Sequence, residues 1–82
     1  MMKKIMPEFG KRLQELRSEK GLKQTEMAEF LERSDATYQK MEYGTINVPG
    51  LTLIKLADFF EVSLDYLVGR SDERGVSHGK QS

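Results

Sequence analysis

Hydrophobic residues recur along the chain at the three- and four-residue spacing of amphipathic helices, in five short segments. In the first segment Phe9, Leu13 and Leu16 fall on one face, Pro7 suits the first helical position, and Gly21 follows the end. No segment alternates as a strand does. The pattern predicts a compact all-α domain of five helices. These helices are expected over residues 8–20, 24–31, 35–43, 51–60 and 64–68.

The third segment separates an apolar face from a polar one. At 100° per residue, Tyr38, Met41 and Glu42 share the inner face. The other face carries Ala36, Gln39, Lys40 and Tyr43.

The length of 82 residues suits one small domain. Residues 1–7 are expected to form an N-terminal arm and residues 8–70 the helical domain. Residues 71–82 consist mainly of Gly, Ser and charged residues, and they predict a disordered tail.

Composition excludes several classes of site and of protein. The absence of cysteine excludes disulfides and cysteine-based metal sites, and His78 is the only histidine. We therefore expect no metal, no cofactor, no small-molecule ligand domain and no enzymatic activity. No apolar run approaches the roughly 18 residues of a membrane span. Glu8 and Lys11 interrupt any signal-peptide core, so we expect a cytoplasmic protein.

Positive charge is concentrated at the start of the chain, although 13 basic and 13 acidic residues give no net charge. Residues 1–23 hold seven basic and three acidic residues. A nucleic-acid-binding domain usually has a basic excess overall, and this chain has none.

The second and third segments are joined by the three-residue turn Glu32-Arg33-Ser34, which is the organisation of a helix-turn-helix. Four strings extend the likeness: LRSEKGLKQ at 16–24, MAEFL at 27–31, MEYG at 41–44 and VSLDYLVGR at 62–70. The stretch from Phe9 to Arg70 resembles the DNA-binding domain of the lambda-repressor-like family, also called the Cro/repressor or XRE type. The order and spacing of the four strings make this resemblance specific.

The resemblance implies a sequence-specific DNA-binding regulator, a repressor in the first instance, whose third helix enters the major groove of double-stranded DNA. Gln24 would contact a phosphate, Gln39 can pair with adenine, and Lys40 can donate to guanine. Asp35 either accepts from cytosine or serves only the helix dipole. For each residue the alternative is a solvated face. The implied DNA contacts are Gln24, Thr25, Ser34, Asp35, Ala36, Thr37, Gln39, Lys40, Tyr43 and Thr45.

Two pairs of charged residues have open interpretations, one between the first and third helices and one within the first helix. Arg17 flanks the apolar stripe of the first helix and Glu42 lies on the inner face of the third, so we expect a structural salt bridge between them. The resemblance implies the same bridge. The alternative is that both side chains reach water. Lys11 and Arg12 are either phosphate contacts or part of a solvated face.

The last two helices are expected to supply a homodimer interface. Phe59, Tyr66 and Val68 lie beside the inner stripes, and the resemblance implies a two-fold dimer on a palindromic operator. The alternative is that the three side chains complete the core of a monomer.

The sequence departs from the family pattern at Glu32, where glycine is usual. A non-glycine residue adopts the left-handed conformation there only at some strain. The helix-turn-helix also carries net negative charge. The neutral net charge and Asp35 keep a second function open, which is a protein-interaction module of the same fold, antitoxin-like or regulator-binding, with weak or no DNA binding. Charge reversal at Lys40 would distinguish the two functions.

Overall fold

The computed structural model describes residues 5–75, which form five helices and no strand. The all-α prediction is confirmed, and each helix begins and ends within one residue of its predicted bounds. The helices are α1 (Pro7–Glu19), α2 (Gln24–Leu31), α3 (Asp35–Tyr43), α4 (Gly50–Phe60) and α5 (Leu64–Leu67).

Serine side chains fix the start of the third and the fifth helix. Ser34 Oγ accepts a hydrogen bond from Thr37 N over 3.1 Å, and Ser63 Oγ accepts one from Tyr66 N over 2.9 Å. Each bond satisfies an amide that has no partner inside its helix.

The turns before these two serines use the same left-handed residue. Glu32 has φ 58° and ψ 43°, and Glu61 has φ 57° and ψ 46°. The strained geometry predicted at Glu32 is therefore present, and it occurs a second time between α4 and α5. The residue that follows differs, because Arg33 is exposed whereas Val62 is buried.

The core is built from buried side chains of all five helices, and it contains all three members of the apolar stripe of α1. Gly10 brings α1 into backbone contact with α3, since a Cβ atom there would lie 2.4 Å from the carbonyl oxygen of Glu42. This contact fixes how α3 sits on α1. The fully buried large side chains are Phe9, Leu13, Met27, Tyr38, Leu56 and Leu67.

The segment after α5 differs from the expected disordered tail. Arg12 Nη1 donates to the carbonyl oxygens of Tyr66 and Ser71, and Ser63 N donates to the carbonyl oxygen of Arg74. Residues 71–75 therefore lie against α1 and α5. The sequence did not predict this position, because the polar contacts are long-range and leave no periodic signal. Residues 76–82 of that prediction, with His78, lie outside the described residues, as do residues 1–4 of the predicted arm.

Tyr66 corrects one expectation about α5. Its side chain belongs to the core and is only 7% exposed, with the Arg12 guanidinium 4.2 Å from its ring centroid. The sequence suggested a partly free side chain, but α1 and the segment after α5 cover it. Phe59 and Val68 are half-buried.

Candidate nucleic-acid interface

The outer face of α3 is a polar surface carried on a well-packed helix. Ala36, Gln39 and Lys40 are exposed, as is Asp35 in the first turn, while Tyr43 is 60% exposed. The inner face is buried through Tyr38 and Met41. The two faces predicted from the helical period are both present, and the outer one is open to a ligand.

The start of α3 is stabilised by two side chains that the family resemblance also placed among the DNA contacts. The Ser34 hydroxyl donates to Thr37 Oγ1 over 2.9 Å and accepts from the Thr37 amide. Both bonding directions of Ser34 are thus used for capping. The Thr37 hydroxyl accepts in this pair, so its own proton can be directed to another acceptor.

The side chain of Glu42, on the inner face of α3, accepts four hydrogen bonds. Its Oε2 accepts from Arg17 Nε and from Tyr38 Oη, each over 2.5 Å. Its Oε1 accepts from Gln24 Nε2 over 3.0 Å and from Arg17 Nη2 over 3.3 Å. Arg17 Nη1 also donates to the carbonyl oxygen of Leu22 over 2.8 Å. We call Arg17, Gln24, Tyr38 and Glu42 the Glu42 network.

The predicted ion pair between Arg17 and Glu42 is present within this network and is largely buried. The side chain of Glu42 is 5% exposed and that of Arg17 is 14% exposed. The hydrogen bond to Glu42 raises the pKa of Arg17 above its usual value. Burial raises the pKa of Tyr38, and its hydrogen bond to the Glu42 carboxylate raises it further. At neutral pH Arg17 is therefore a guanidinium and Tyr38 a neutral phenol.

Gln24 has a double position, at the first residue of α2 and in the Glu42 network. Because a carboxylate only accepts hydrogen bonds, the bond to Glu42 fixes which end of the amide is nitrogen. One N–H is used there, and the other N–H and the amide oxygen remain available on a half-buried side chain. Thr25, the next residue, is exposed.

A surface groove of about 540 Å³ joins α1, the start of α2 and the outer face of α3. The sequence did not identify Gln14 as a member of this site, although it did identify the residues of α2 and α3. Gln14 is an exposed polar residue on a helix whose periodic signal comes from its apolar side. The groove is lined by Gln14, Gln24, Ala36, Gln39, Lys40, Glu42, Tyr43 and Thr45.

The end of α3 is tied to the residues that precede α1. The Ile5 and Met6 amides donate to the carbonyl oxygen of Gly44 over 2.6 and 2.9 Å. Gly44 has φ 81°, and a Cβ atom there would lie 2.9 Å from the carbonyl oxygen of Met6. The position therefore requires glycine for both its conformation and its space.

Arg12 is neither a phosphate contact nor part of a solvated face, which were the two interpretations that the sequence left open. Its side chain is 14% exposed and bonds the carbonyl oxygens of Tyr66 and Ser71, with Asp72 Oδ1 at 3.0 Å. It is therefore a structural residue that secures the segment after α5. Lys11 is exposed.

Other kinds of site find little support in the described part of the chain. Within residues 5–75 no group of three or more His, Cys, Asp and Glu side chains could hold a metal ion. No helix in this range is long and apolar enough to cross a membrane.

The α2–turn–α3 unit, with its capped and outward-facing third helix, defines a helix-turn-helix domain. The sequence model described as "Helix-turn-helix" matches residues 13–67, and the chain belongs to this family, in agreement with the resemblance to the XRE type. The chain is also 40% identical over 60 residues to the SPbeta prophage-derived uncharacterized HTH-type transcriptional regulator YonR of Bacillus subtilis (strain 168). That alignment covers 73% of this chain and 56% of the relative, so the chain spans just over half of the relative's length. No solved structure matches the chain.

Proposed function

We propose that this protein is a sequence-specific DNA-binding transcriptional regulator that inserts the outer face of α3 into the major groove. The observation that carries the proposal is this exposed face, with Ala36, Gln39 and Lys40, held rigidly by the Glu42 network. Lys40 suits guanine O6 and N7, Gln39 suits adenine, and the Ala36 methyl suits the methyl group of thymine. Asp35 would accept from cytosine N4 when it contacts a base.

Phosphate contacts would come from residues on either side of this face. Gln24 stands at the start of α2, where amides without a helical partner also favour an anion. Tyr43 and Thr45 lie where the chain leaves α3, and both line the groove. Thr25, Ser34 and Thr37 complete the proposed contact set. Such contacts position the protein, and the base contacts select the sequence.

A homodimer would place two α3 helices in successive major grooves of a palindromic site. Large apolar side chains remain exposed on the last two helices, with Leu51 82%, Ile54 46% and Leu64 41% exposed. Half-buried Phe59 and Val68 stay candidates for this interface, whereas Tyr66 is buried within the monomer. Lys55 and Asp58 on α4 carry opposite charges, so two copies related by a two-fold axis can pair them reciprocally.

A bound dimer would act as a repressor by blocking the polymerase at an overlapping promoter. The direct test is selection from a pool of random duplex DNA at low salt, followed by sequencing. We expect an enriched palindrome whose half-sites lie about one helical turn apart. A single unpaired half-site would contradict the dimer. No enrichment, together with no shift of any labelled duplex, would contradict DNA binding and favour the protein-interaction module.

A charge reversal then assigns the binding to α3. Lys40→Glu should reduce affinity for the selected sequence at least about tenfold, because it loses a cation and brings a carboxylate to the DNA. Arg70→Glu also replaces a cation with a carboxylate on an exposed residue that does not line the groove, and it serves as the matched control. Equal losses in both variants would mean that α3 is not the contacting element.

A further inference from the structure

Gln14 lies on the side of α1 that faces α3. Gly10 is one helical turn earlier, and it marks the point where the two helices touch through their backbones. Residues four apart share a face of a helix, so Gln14 stands beside this crossing. Its side chain is exposed and, like that of Gln24, lines the groove.

The groove wall suits an anion with several oxygen atoms. Gln14 and Gln24 carry amide donors, Tyr43 and Thr45 carry hydroxyl groups, and Lys40 carries a full positive charge.

The one carboxylate that lines the groove does not oppose an anion as an exposed carboxylate would. Glu42 accepts four hydrogen bonds, is paired with Arg17, and is 5% exposed. Its charge is compensated within the protein, so the surface of the groove presents mainly donors.

The place of the groove relative to α3 indicates which anion reaches it. When the N-terminal half of α3 approaches base edges, the phosphate backbone bordering the major groove runs past its sides. The groove lies at such a side, since α1 and the start of α2 border it and its lining follows α3 from Ala36 to Tyr43. A phosphate of DNA is therefore the expected occupant.

We propose that Gln14 is a DNA-binding residue that donates a hydrogen bond to a backbone phosphate seated between α1 and the start of α2. The proposal rests on the DNA-binding function proposed above and extends the interface beyond the helix-turn-helix to the first helix. Gln14 and Gln24 would both donate to this phosphate, and Lys40, whose ammonium group is proposed above to contact guanine, would add a positive charge to the same groove.

The test uses three variants of the full chain and the duplex obtained by selection. Gln14→Ala removes the donor and should weaken binding about threefold to tenfold. Gln14→Lys places a cation at the same phosphate, so the plot of log affinity against log salt concentration should steepen by about 0.9 for each bound protomer. Glu15→Gln raises the net charge by the same amount at an exposed residue of α1 that lies outside the groove, about 100° around the helix from Gln14, and should leave that slope near the wild-type value.

The outcomes separate this inference from the function on which it rests. If the wild-type protein binds no duplex, the proposed function and the inference both fail. If the wild-type protein binds but Gln14→Ala keeps wild-type affinity, or Gln14→Lys and Glu15→Gln steepen the slope equally, only the inference is overturned. Thermal unfolding of each variant checks folding, and an exposed position should leave the midpoint close to that of the wild type.

Discussion

Two arginines on α1 are equally buried, but they stabilise different contacts on the two sides of this helix. The side chains of Arg12 and Arg17 are each 14% exposed. Arg17 faces α3 and pairs with Glu42, whose side chain is 5% exposed. Arg12 faces α5 and bonds two backbone carbonyl groups and Asp72, whose side chain is 100% exposed. The burial of the partner, more than that of the arginine, distinguishes the two sites.

This difference matters because water can solvate the groups that lose Arg12, whereas it cannot reach the carboxylate that loses Arg17. Loss of Arg17 would leave a carboxylate buried without its countercharge, which is costly. Loss of Arg12 would leave carbonyl groups near the surface and an aspartate already in water. The side of α1 that supports α3 is therefore expected to be the more sensitive one.

The largest effect should follow from Arg17→Leu. We expect the free energy of unfolding to fall by about 3–5 kcal/mol, because Glu42 is left buried and unpaired. Urea denaturation followed by circular dichroism measures this change. The double variant Arg17→Leu/Glu42→Leu is the control, and it should recover part of the loss since no charge remains buried. A loss below about 1 kcal/mol in the single variant would show a solvated pair.

A smaller loss is expected from Arg12→Ala. Removal of charged hydrogen bonds to two carbonyl groups should cost about 1–3 kcal/mol, and it should loosen residues 71–75. Hydrogen exchange at Ser63 N, which donates to the carbonyl oxygen of Arg74, measures the loosening. Arg12→Lys should restore part of the loss, because an ammonium group can donate to both carbonyl groups as Nη1 does but lacks the second nitrogen that bonds Asp72. Full protection in Arg12→Ala would show that the segment is held without this arginine.

Alkaline pH should act on the α3 side through Tyr38. Its folded pKa is raised above the unfolded value of about 10, so its contribution is fully present below about pH 10 and declines as the pH rises further. The free energy of unfolding should then fall by about 1.4 kcal/mol for each pH unit. Phenolate absorbance should show Tyr38 ionising only together with unfolding. Tyr38→Phe, which cannot ionise, should remove that step, and its persistence would contradict the assignment.

The smallest effect concerns the exposed pair of Glu19 and Arg74, with Arg74 Nη1 and Glu19 Oε1 2.9 Å apart. The hydrogen bond lowers the pKa of Glu19, so its contribution is present at neutral pH and is lost as the pH falls through the folded pKa. Arg74→Ala should return the Glu19 pKa towards its ordinary value in an NMR titration, with almost no change in stability at pH 7. An unchanged Glu19 pKa would mean that the pair does not form in solution.

Local patterns were sufficient to predict the helices and the Arg17–Glu42 pair. Apolar spacing indicates every helix, and glycine or serine marks an end of α1, α3 and α5, while two opposite charges on facing inner sides leave few arrangements. The partners of Arg12 could not be predicted, because backbone carbonyl groups carry no sequence signal. Gln14 was missed for a related reason: its groove exists only once Gly10 has set the crossing of α1 and α3.

The amide bonds from Ile5 and Met6 to Gly44 have a practical consequence for anyone who handles this protein. They place the upstream end of the described chain at the C-terminal end of α3, beside Tyr43 and Thr45. An affinity tag or fusion partner joined upstream of this point is therefore attached near the surface that is proposed to meet DNA. Binding measured on such a fusion would include interference from the added segment, so the tag should be cleaved before any affinity is compared.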